Sequence, residues 1–238
     1  QSHQTSDMSQ LCAGSIINDL YILTAGHCTF KNTCQIPYVP QDLTVTVADH
    51  NIHSLNKGLI GITQSFTVKE IIRHENYCKS GKTIDNDIAL LKLAKRMDLM
   101  NLKEVGMICL PDNPVSEYDH AYATAVEQKL TSDEEDKLFT SELNGVELIK
   151  FPNCALYPFP SHITENMFCA VYKTDTRDTC GGDSGGPLYI IENDSRYIQI
   201  GIVSFGPPGS KCAGLGVYTD IYKFLSWIRE KSQDGTCG

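Results

Sequence analysis

Thr179-Cys-Gly-Gly-Asp-Ser-Gly-Gly-Pro187 is the stretch on which the fold of this 238-residue chain turns. A serine between glycines suits a strained nucleophile turn, because a Cβ on either side would block close approach of a substrate carbonyl. A Gly-rich turn with a capping serine reads the same way, so the motif alone decides little. Gly182-x-Ser184-x-Gly186 also fits the nucleophile elbow of an α/β-hydrolase, whose catalytic order is Ser, then acid, then His. The seven histidines stand at positions 3, 27, 50, 53, 74, 120 and 162, all before Ser184. No base can follow the serine, and the α/β-hydrolase fold is excluded.

A base ahead of the serine leaves the orders His…Asp…Ser and Asp…His…Ser. Thr24-Ala-Gly-His-Cys28 ends an apolar run, and Cys28 can tie down the residue beside His27. Asp85-Asn-Asp-Ile-Ala-Leu-Leu91 sets Asp87 at the lip of a nearly continuous apolar strand, where a half-buried carboxylate could orient an imidazole. Singly, a His next to Cys reads as structural and an Asp at a strand start as a turn residue. Together with the serine motif they form a specific constellation.

Around these motifs the chain reads as strands. Leu43-Thr-Val-Thr-Val47 alternates apolar and polar at period two, and Ile16-Ile17, Tyr21 to Leu23, Phe66 to Ile72, Ile88 to Leu93, Val146 to Ile149, Leu188 to Ile191, Tyr197 to Ser204 and Val217 to Thr219 are further short runs. Asn18-Asp19, Asn113-Pro114, Asn144-Gly145, Asn193-Asp194 and Pro207-Pro208-Gly209 supply turn signals between them. Many short strands so punctuated predict an all-β sandwich or barrel. One helix is expected, at the C-terminus, where Ile221, Phe224, Leu225 and Ile228 recur at i, i+3, i+4 and i+7. The acidic run Ser132 to Asp136 is expected to be a solvated loop.

Twenty Lys and Arg against 29 Asp and Glu give a net charge of −9, which disfavours non-specific binding to nucleic acid or anionic lipid. No apolar run approaches the roughly 18 residues of a membrane span. Ten cysteines without a C-x-x-C pair point to disulfides in an oxidising compartment rather than to zinc. Asn193-Asp-Ser195 is the one N-x-S/T sequon and makes Asn193 a candidate glycosylation site in a secreted protein. Gln1 opens the chain without Met or a charged-then-apolar leader, which reads as a processed or truncated product.

With these residues in hand, the sequence resembles the trypsin-like serine proteases of the chymotrypsin family. Leu11-Cys-Ala-Gly-Ser15 with Thr24-Ala-Gly-His-Cys28 resembles the family's first disulfide and histidine, and Asp85 to Leu93 its aspartate motif. Ile108-Cys-Leu-Pro111, Thr164 to Ala170, the serine motif, Gly201 to Gly206 and Gly216 to Thr219 carry the likeness on, so that it runs from about Leu11 to Ile228.

The resemblance implies two packed six-stranded antiparallel β-barrels and a C-terminal α-helix in a single protease domain, 1–238. The N-terminal barrel would span about 1–108 and the C-terminal barrel about 109–238, with the catalytic cleft between them. Ser184 would be the nucleophile, His27 the base and Asp87 the group holding the imidazole tautomer. The N–H groups of Gly182 and Ser184 would form the oxyanion hole. Asp178 matches the floor of the primary pocket, and Gly206 and Gly216 match its walls. An acid under a narrow apolar pocket fits an incoming guanidinium or ammonium, implying cleavage after Arg or Lys.

The family's disulfides carry over as Cys12–Cys28, Cys154–Cys169 and Cys180–Cys212, each closing a loop of roughly 15–35 residues worth about 3–4 kcal/mol. Cys34 and Cys78 have no standard partners and are expected to pair with each other at the cleft rim. Cys109 matches a residue that in many relatives holds an upstream propeptide or light chain, and Cys237 stays unassigned. There are departures too. Ala125-Val-Glu127 stands where Gly-Trp-Gly is usual, Phe205 where Trp is common, and Val171 where Gly commonly follows Cys-Ala. The stretch Asp49 to Leu59 resembles the calcium loop but holds too few oxygen ligands, so no metal or cofactor is expected. Leu215 replaces the aromatic of sodium-sensitive relatives.

The expected function is a secreted serine endopeptidase made as a zymogen, with a cascade role pointed to by Cys109. Its expected partners are protein or peptide substrates with Arg or Lys before the scissile bond, and protein protease inhibitors, without nucleic acid or membrane. The alternative is a weak or inactive homologue that acts by binding. The family's apolar start, whose α-amino group would pair with Asp183, has no counterpart in the polar stretch Gln1 to Gln10. An activation segment and a first strand upstream are therefore expected, and residues 1–238 alone are expected to be zymogen-like.

Overall fold

Strand β2 (Tyr21–Thr24) is buried at every position, and β7 (Ala89–Leu93) at three of five. Apolar runs of this kind form the middle of a sheet covered on both faces. In the computed structural model the two pair antiparallel, Thr24 opposite Ala89. The structure describes residues 12–32, 34–48, 63–79, 84–102, 105–118, 120–129, 138–150, 154, 163–172, 183–193, 196–206 and 215–235.

The first sheet has the order β1-β2-β7-β6-β5, with β1 at Ser15–Ile16, β5 at Thr44–Val47 and β6 at Gln64–Arg73. In β5 the alternation predicted from sequence holds: Thr44 and Thr46 are exposed and Val47 is buried. A separate hairpin, β3 (Phe30–Asn32) with β4 (Ile36–Pro37), leaves the sheet directly after His27. The second sheet closes into a six-stranded barrel: β8 (His120–Lys129), β9 (Leu138–Lys150), β10 (Met167–Tyr172), β11 (Pro187–Glu192), β12 (Arg196–Phe205) and β13 (Leu215–Asp220). The protein is thus mostly β, in two curled sheets. The second has the expected six strands, while the described residues of the first form five plus the hairpin.

Helix α1 (Ile221–Lys231) follows β13 without a loop. The Asp220 carboxylate caps it by accepting from the Tyr222 N–H at 3.0 Å, and Arg229 and Lys231 lie in the last turn, where cations favour the helix dipole. All four residues of the predicted apolar stripe are buried, in the same cluster as Leu23, Ile88 and Leu90 of the first sheet. The end of the chain therefore packs back onto the first barrel. The linking segment bonds to both halves: Ile108 N–H donates to Ile16 at 2.9 Å, and Cys109 N–H to Tyr197 at 2.9 Å.

Two local expectations are corrected. Asn144-Gly145 reads as a turn but lies inside β9, paired with Ala125 and Thr124. Turn propensity is a local preference of a few tenths to about one kcal/mol, and a continuous ladder outweighs it. Asp87 was expected to be half-buried and is 1% exposed. The Asp49 to Leu59 stretch, the acidic run Ser132 to Asp136 and Pro207-Pro208-Gly209 lie outside the described residues. Among the described residues no helix is long and apolar enough to cross a membrane.

Candidate active site

The pairing of β2 with β7 explains why His27 and Asp87 meet. His27 lies three residues beyond Thr24, and Asp87 two before Ala89, its ladder partner. Both therefore emerge at one end of the sheet. The His27 backbone N–H donates to Asp87 Oδ1 at 2.8 Å, and His27 Nδ1 lies 2.8 Å from Oδ2. The shared bond fixes a tautomer with the proton on Nδ1 and a lone pair on Nε2. Burial alone would pull the imidazole pKa down, but the charge and hydrogen bond of Asp87 together outweigh it and hold the pKa above its ordinary value.

Asp87 is itself held from the second barrel. Ser204 Oγ on β12 donates to Oδ2 at 2.5 Å, and Thr219 Oγ1 on β13 donates to the Asp87 carbonyl at 2.9 Å. Three donors thus satisfy the oxygens of this buried carboxylate without water. Sequence reasoning missed Ser204 and Thr219. Their signal was there: each is a polar residue inside an apolar strand, and buried polar groups require partners.

Ser184 sits at the second position of a tight turn that Gly186 N–H closes onto the Asp183 carbonyl at 2.9 Å. Gly185 takes φ +82°, the value that the third position of a type II turn requires. A Cβ there would lie 2.2 Å from Thr24 Oγ1 and 2.5 Å from the Ala13 carbonyl oxygen. Gly185→Ala is therefore expected to destabilise the protein by about 3 kcal/mol, from a forbidden φ and a backbone collision together. Urea unfolding measures it, and a loss below about 1 kcal/mol would contradict this packing.

The turn is anchored on both sides. Ala13 N–H donates to the Ser184 carbonyl at 2.8 Å, and Gly185 N–H to Val203 at 2.9 Å. Ala13 follows Cys12, which forms a disulfide with Cys28. Cys28 Sγ lies 3.7 Å from His27 Nε2 and 3.5 Å from the Ser184 carbonyl oxygen. The nucleophile turn and the free nitrogen of the imidazole thus lie against one sulfur. Among the described residues no hydrogen bond joins Ser184 Oγ to Nε2, a contact that commonly tightens only when substrate binds.

Tyr77 closes the floor. Its ring lies 3.1 Å from where a Gly26 Cβ would be, and the same Cβ would lie 3.1 Å from Asp87 Oδ1. A side chain at Gly26 would therefore press on both the Tyr77 ring and the Asp87 carboxylate. Burial, with the Asp87 charge added, pushes the Tyr77 phenol well above its ordinary range.

Of the other expected residues, Asp183 is buried at 3% exposure beside Ser184. Gly206 directly follows β12, and a Cβ there would meet only Leu215 O at 3.7 Å. A Cβ at Gly216 would run into the Tyr218 ring and hydroxyl at 2.8–3.0 Å. Val171 pairs with Leu215, next to the Ala170–Gly216 pair. Disulfides Cys34–Cys78 and Cys154–Cys169 are formed as expected, and Cys109 is free and partly exposed. Asn193 is exposed at the β11–β12 turn with φ 50°. Asp178, Cys180, Gly182, Cys212 and Cys237 lie outside the described residues.

A base oriented by a buried acid, packed on the same sulfur as a serine-bearing glycine turn between two β-barrels, is the arrangement of a serine hydrolase. The trypsin family model matches residues 1–228. Trypsin-4 of Rattus norvegicus is 33% identical over 223 residues, covering 94% of this chain and 80% of that protein. Vitamin K-dependent protein C of Mus musculus is 30% identical over 225 residues, covering 91% of this chain and 45% of that protein. The chain thus spans less than half the length of the second relative. It belongs to the trypsin family of serine proteases, hydrolases that act on protein substrates.

Proposed function

We propose that the chain is the protease domain of a secreted endopeptidase that cleaves after Arg or Lys by an acyl-enzyme mechanism. The observation that carries the reading is the pair of 2.8 Å contacts that fix His27 on buried Asp87, with Nε2 and the Ser184 turn against the same disulfide. His27 Nε2 takes the Ser184 Oγ proton as Oγ attacks the scissile carbonyl carbon. The oxyanion that forms accepts from the N–H groups of Gly182 and Ser184. Collapse breaks the C–N bond, and the leaving amine takes the proton from His27. Water, deprotonated by the same imidazole, then attacks the acyl ester and releases the acid and Ser184.

Asp178, Gly206 and Gly216 would build the primary pocket. Asp178 is six residues before Ser184, and the small residues leave room for a long side chain reaching toward it. Activation by cleavage, with a new α-amino group at Asp183, fits the burial of that carboxylate beside the nucleophile. Partners would be protein substrates, protein protease inhibitors and an upstream chain held through Cys109, as in a cascade. Secretion fits the disulfides and the exposed sequon asparagine.

A positional-scanning peptide library on the activated full-length protein tests the specificity. Arg or Lys before the scissile bond is expected to be preferred at least about a hundredfold in kcat/KM, since an unpaired pocket acid penalises neutral substrates. Asp178→Ser is expected to abolish that preference while Ser184 stays reactive to small probes. An equal rate on Phe substrates in the parent would refute the pocket assignment.

A further inference from the structure

Arg73 ends β6 half-buried, and among the described residues no carboxylate pairs with it. Its guanidinium is directed instead at the turn that carries His27. Nε donates to Thr29 Oγ1 at 2.8 Å, Nη2 to the Thr29 carbonyl at 2.9 Å, and Nη2 also to the Tyr38 carbonyl at 2.7 Å. The guanidinium carbon lies 4.9 Å from the centre of the Phe30 ring. Desolvation lowers its pKa, as expected of a cation paired only with dipoles.

Thr29 is fully buried and passes the connection on. Its hydroxyl donates to the Gly26 carbonyl at 2.6 Å, and its N–H to the same oxygen at 3.0 Å. Gly26 and Thr29 are the two ends of the turn that contains His27 and Cys28. The Tyr38 N–H also donates to the Thr29 carbonyl, at 2.8 Å. One planar fork therefore joins β6, the His27 turn and the segment that leaves the β3–β4 hairpin. Cys34, at the tip of that hairpin, is bonded to Cys78, nine residues before Asp87.

We propose that Arg73 is a positioning residue for His27, holding the turn so that Nε2 keeps its place against the Ser184 turn. The proposal rests on the protease reading above. A lysine ammonium could reach the two carbonyls that Nη2 serves but could not also supply the Nε–H to Thr29 Oγ1, and a methionine could serve none of the three. Two backbone carbonyls and a buried hydroxyl hold the arginine side chain, so its loss would free the His27 turn rather than the substrate pocket.

The test compares the activated full-length parent with Arg73→Met and Arg73→Lys on a short Arg ester and on a fluorophosphonate. Arg73→Met is expected to lower kcat about ten- to a hundredfold, the cost of a misplacement of order 1 Å, with KM changed less than about twofold. Arg73→Lys is expected to recover part of the loss. The acid limb of kcat/KM against pH is expected to move down in the Met variant, because a loosened imidazole loses part of its Asp87 contact. A folded Met variant with parental kcat and pH profile, lower only in thermal stability, would overturn the proposal and leave Arg73 a structural residue. If the Met variant does not fold, the Lys variant decides: lowered kcat at unchanged KM upholds it, and parental kcat overturns it. Fluorophosphonate labelling separates the two levels of failure. A parent that is not labelled overturns the protease reading and this proposal with it, whereas a labelled parent matched by an equally fast Met variant overturns this proposal alone.

Discussion

Ser184→Ala is expected to lower kcat on the proposed Arg peptide substrates by about 10⁶-fold and to leave the fold unchanged. The size follows from the loss of covalent catalysis altogether. No other hydroxyl on the turn can take the place of Oγ, because glycines flank it on either side of Asp183 and Ser184. The residual rate, about 10³–10⁴ over water, is what an intact oxyanion hole and binding site supply without a nucleophile. The contacts that hold the turn are made by backbone: Ala13 N–H to the Ser184 carbonyl, Gly185 N–H to Val203, Gly186 N–H to Asp183. Thermal unfolding should therefore show a midpoint within about a degree or two of the parent, since surface-type substitutions change stability by about 0.5 kcal/mol or less. A loss of activity below about 10³-fold would mean that another group carries the chemistry.

Asp87→Asn is the second large effect, about 10⁴-fold in kcat. Asp87 Oδ2 accepts from both His27 Nδ1 and Ser204 Oγ, and Oδ1 accepts from His27 N–H. An amide has only one oxygen, so in either orientation its NH₂ faces groups that ought to donate. With NH₂ toward the ring, Nδ1 must give up its proton, Nε2 must carry it, and the base is lost. The pH dependence has a definite sign. In the parent, the Asp87 charge and hydrogen bond outweigh burial and raise the His27 pKa. The acid limb of kcat/KM should therefore lie above the ordinary imidazole value of about 6.5, with activity lost as pH falls through it. In the Asn variant both raising influences are gone and desolvation remains, so the acid limb moves to lower pH. Stopped-time assays from pH 5 to 9 measure the shift, and a limb that stays in place would show that Asp87 does not act on His27.

Much of this was legible in the chain. The order of seven histidines before Ser184 excluded one hydrolase class outright, because triad order is a property of topology. The stripe Ile221, Phe224, Leu225, Ile228 was readable because helical periodicity needs only local sequence, and all four residues are buried. Pairing of Cys34 with Cys78 could be guessed from leftover cysteines, but their meeting across 44 residues is set by the sheet. That Ser204 and Thr219, polar residues in apolar strands, needed partners was legible, but that the partner is Asp87 was not, because β12 and β13 lie more than a hundred residues along the chain. Arg73 was missed for the same reason, since an arginine at the end of a strand looks like a solvated charge until its three acceptors are in place. Asn144-Gly145 failed in the opposite direction, a clear local signal overridden by the β8–β9 ladder.

The catalytic reading stands or falls on whether Ser184 is a nucleophile activated by His27 beside an oxyanion hole. Fluorophosphonate labelling of the activated full-length protein, followed by peptide mapping, measures that directly. The expected result is one phosphonyl group on Ser184, formed at a rate that drops when His27 is replaced by Ala and that a competing Arg-based inhibitor suppresses. An activated protein that takes up no label, or that takes it up on a residue other than Ser184, would contradict it.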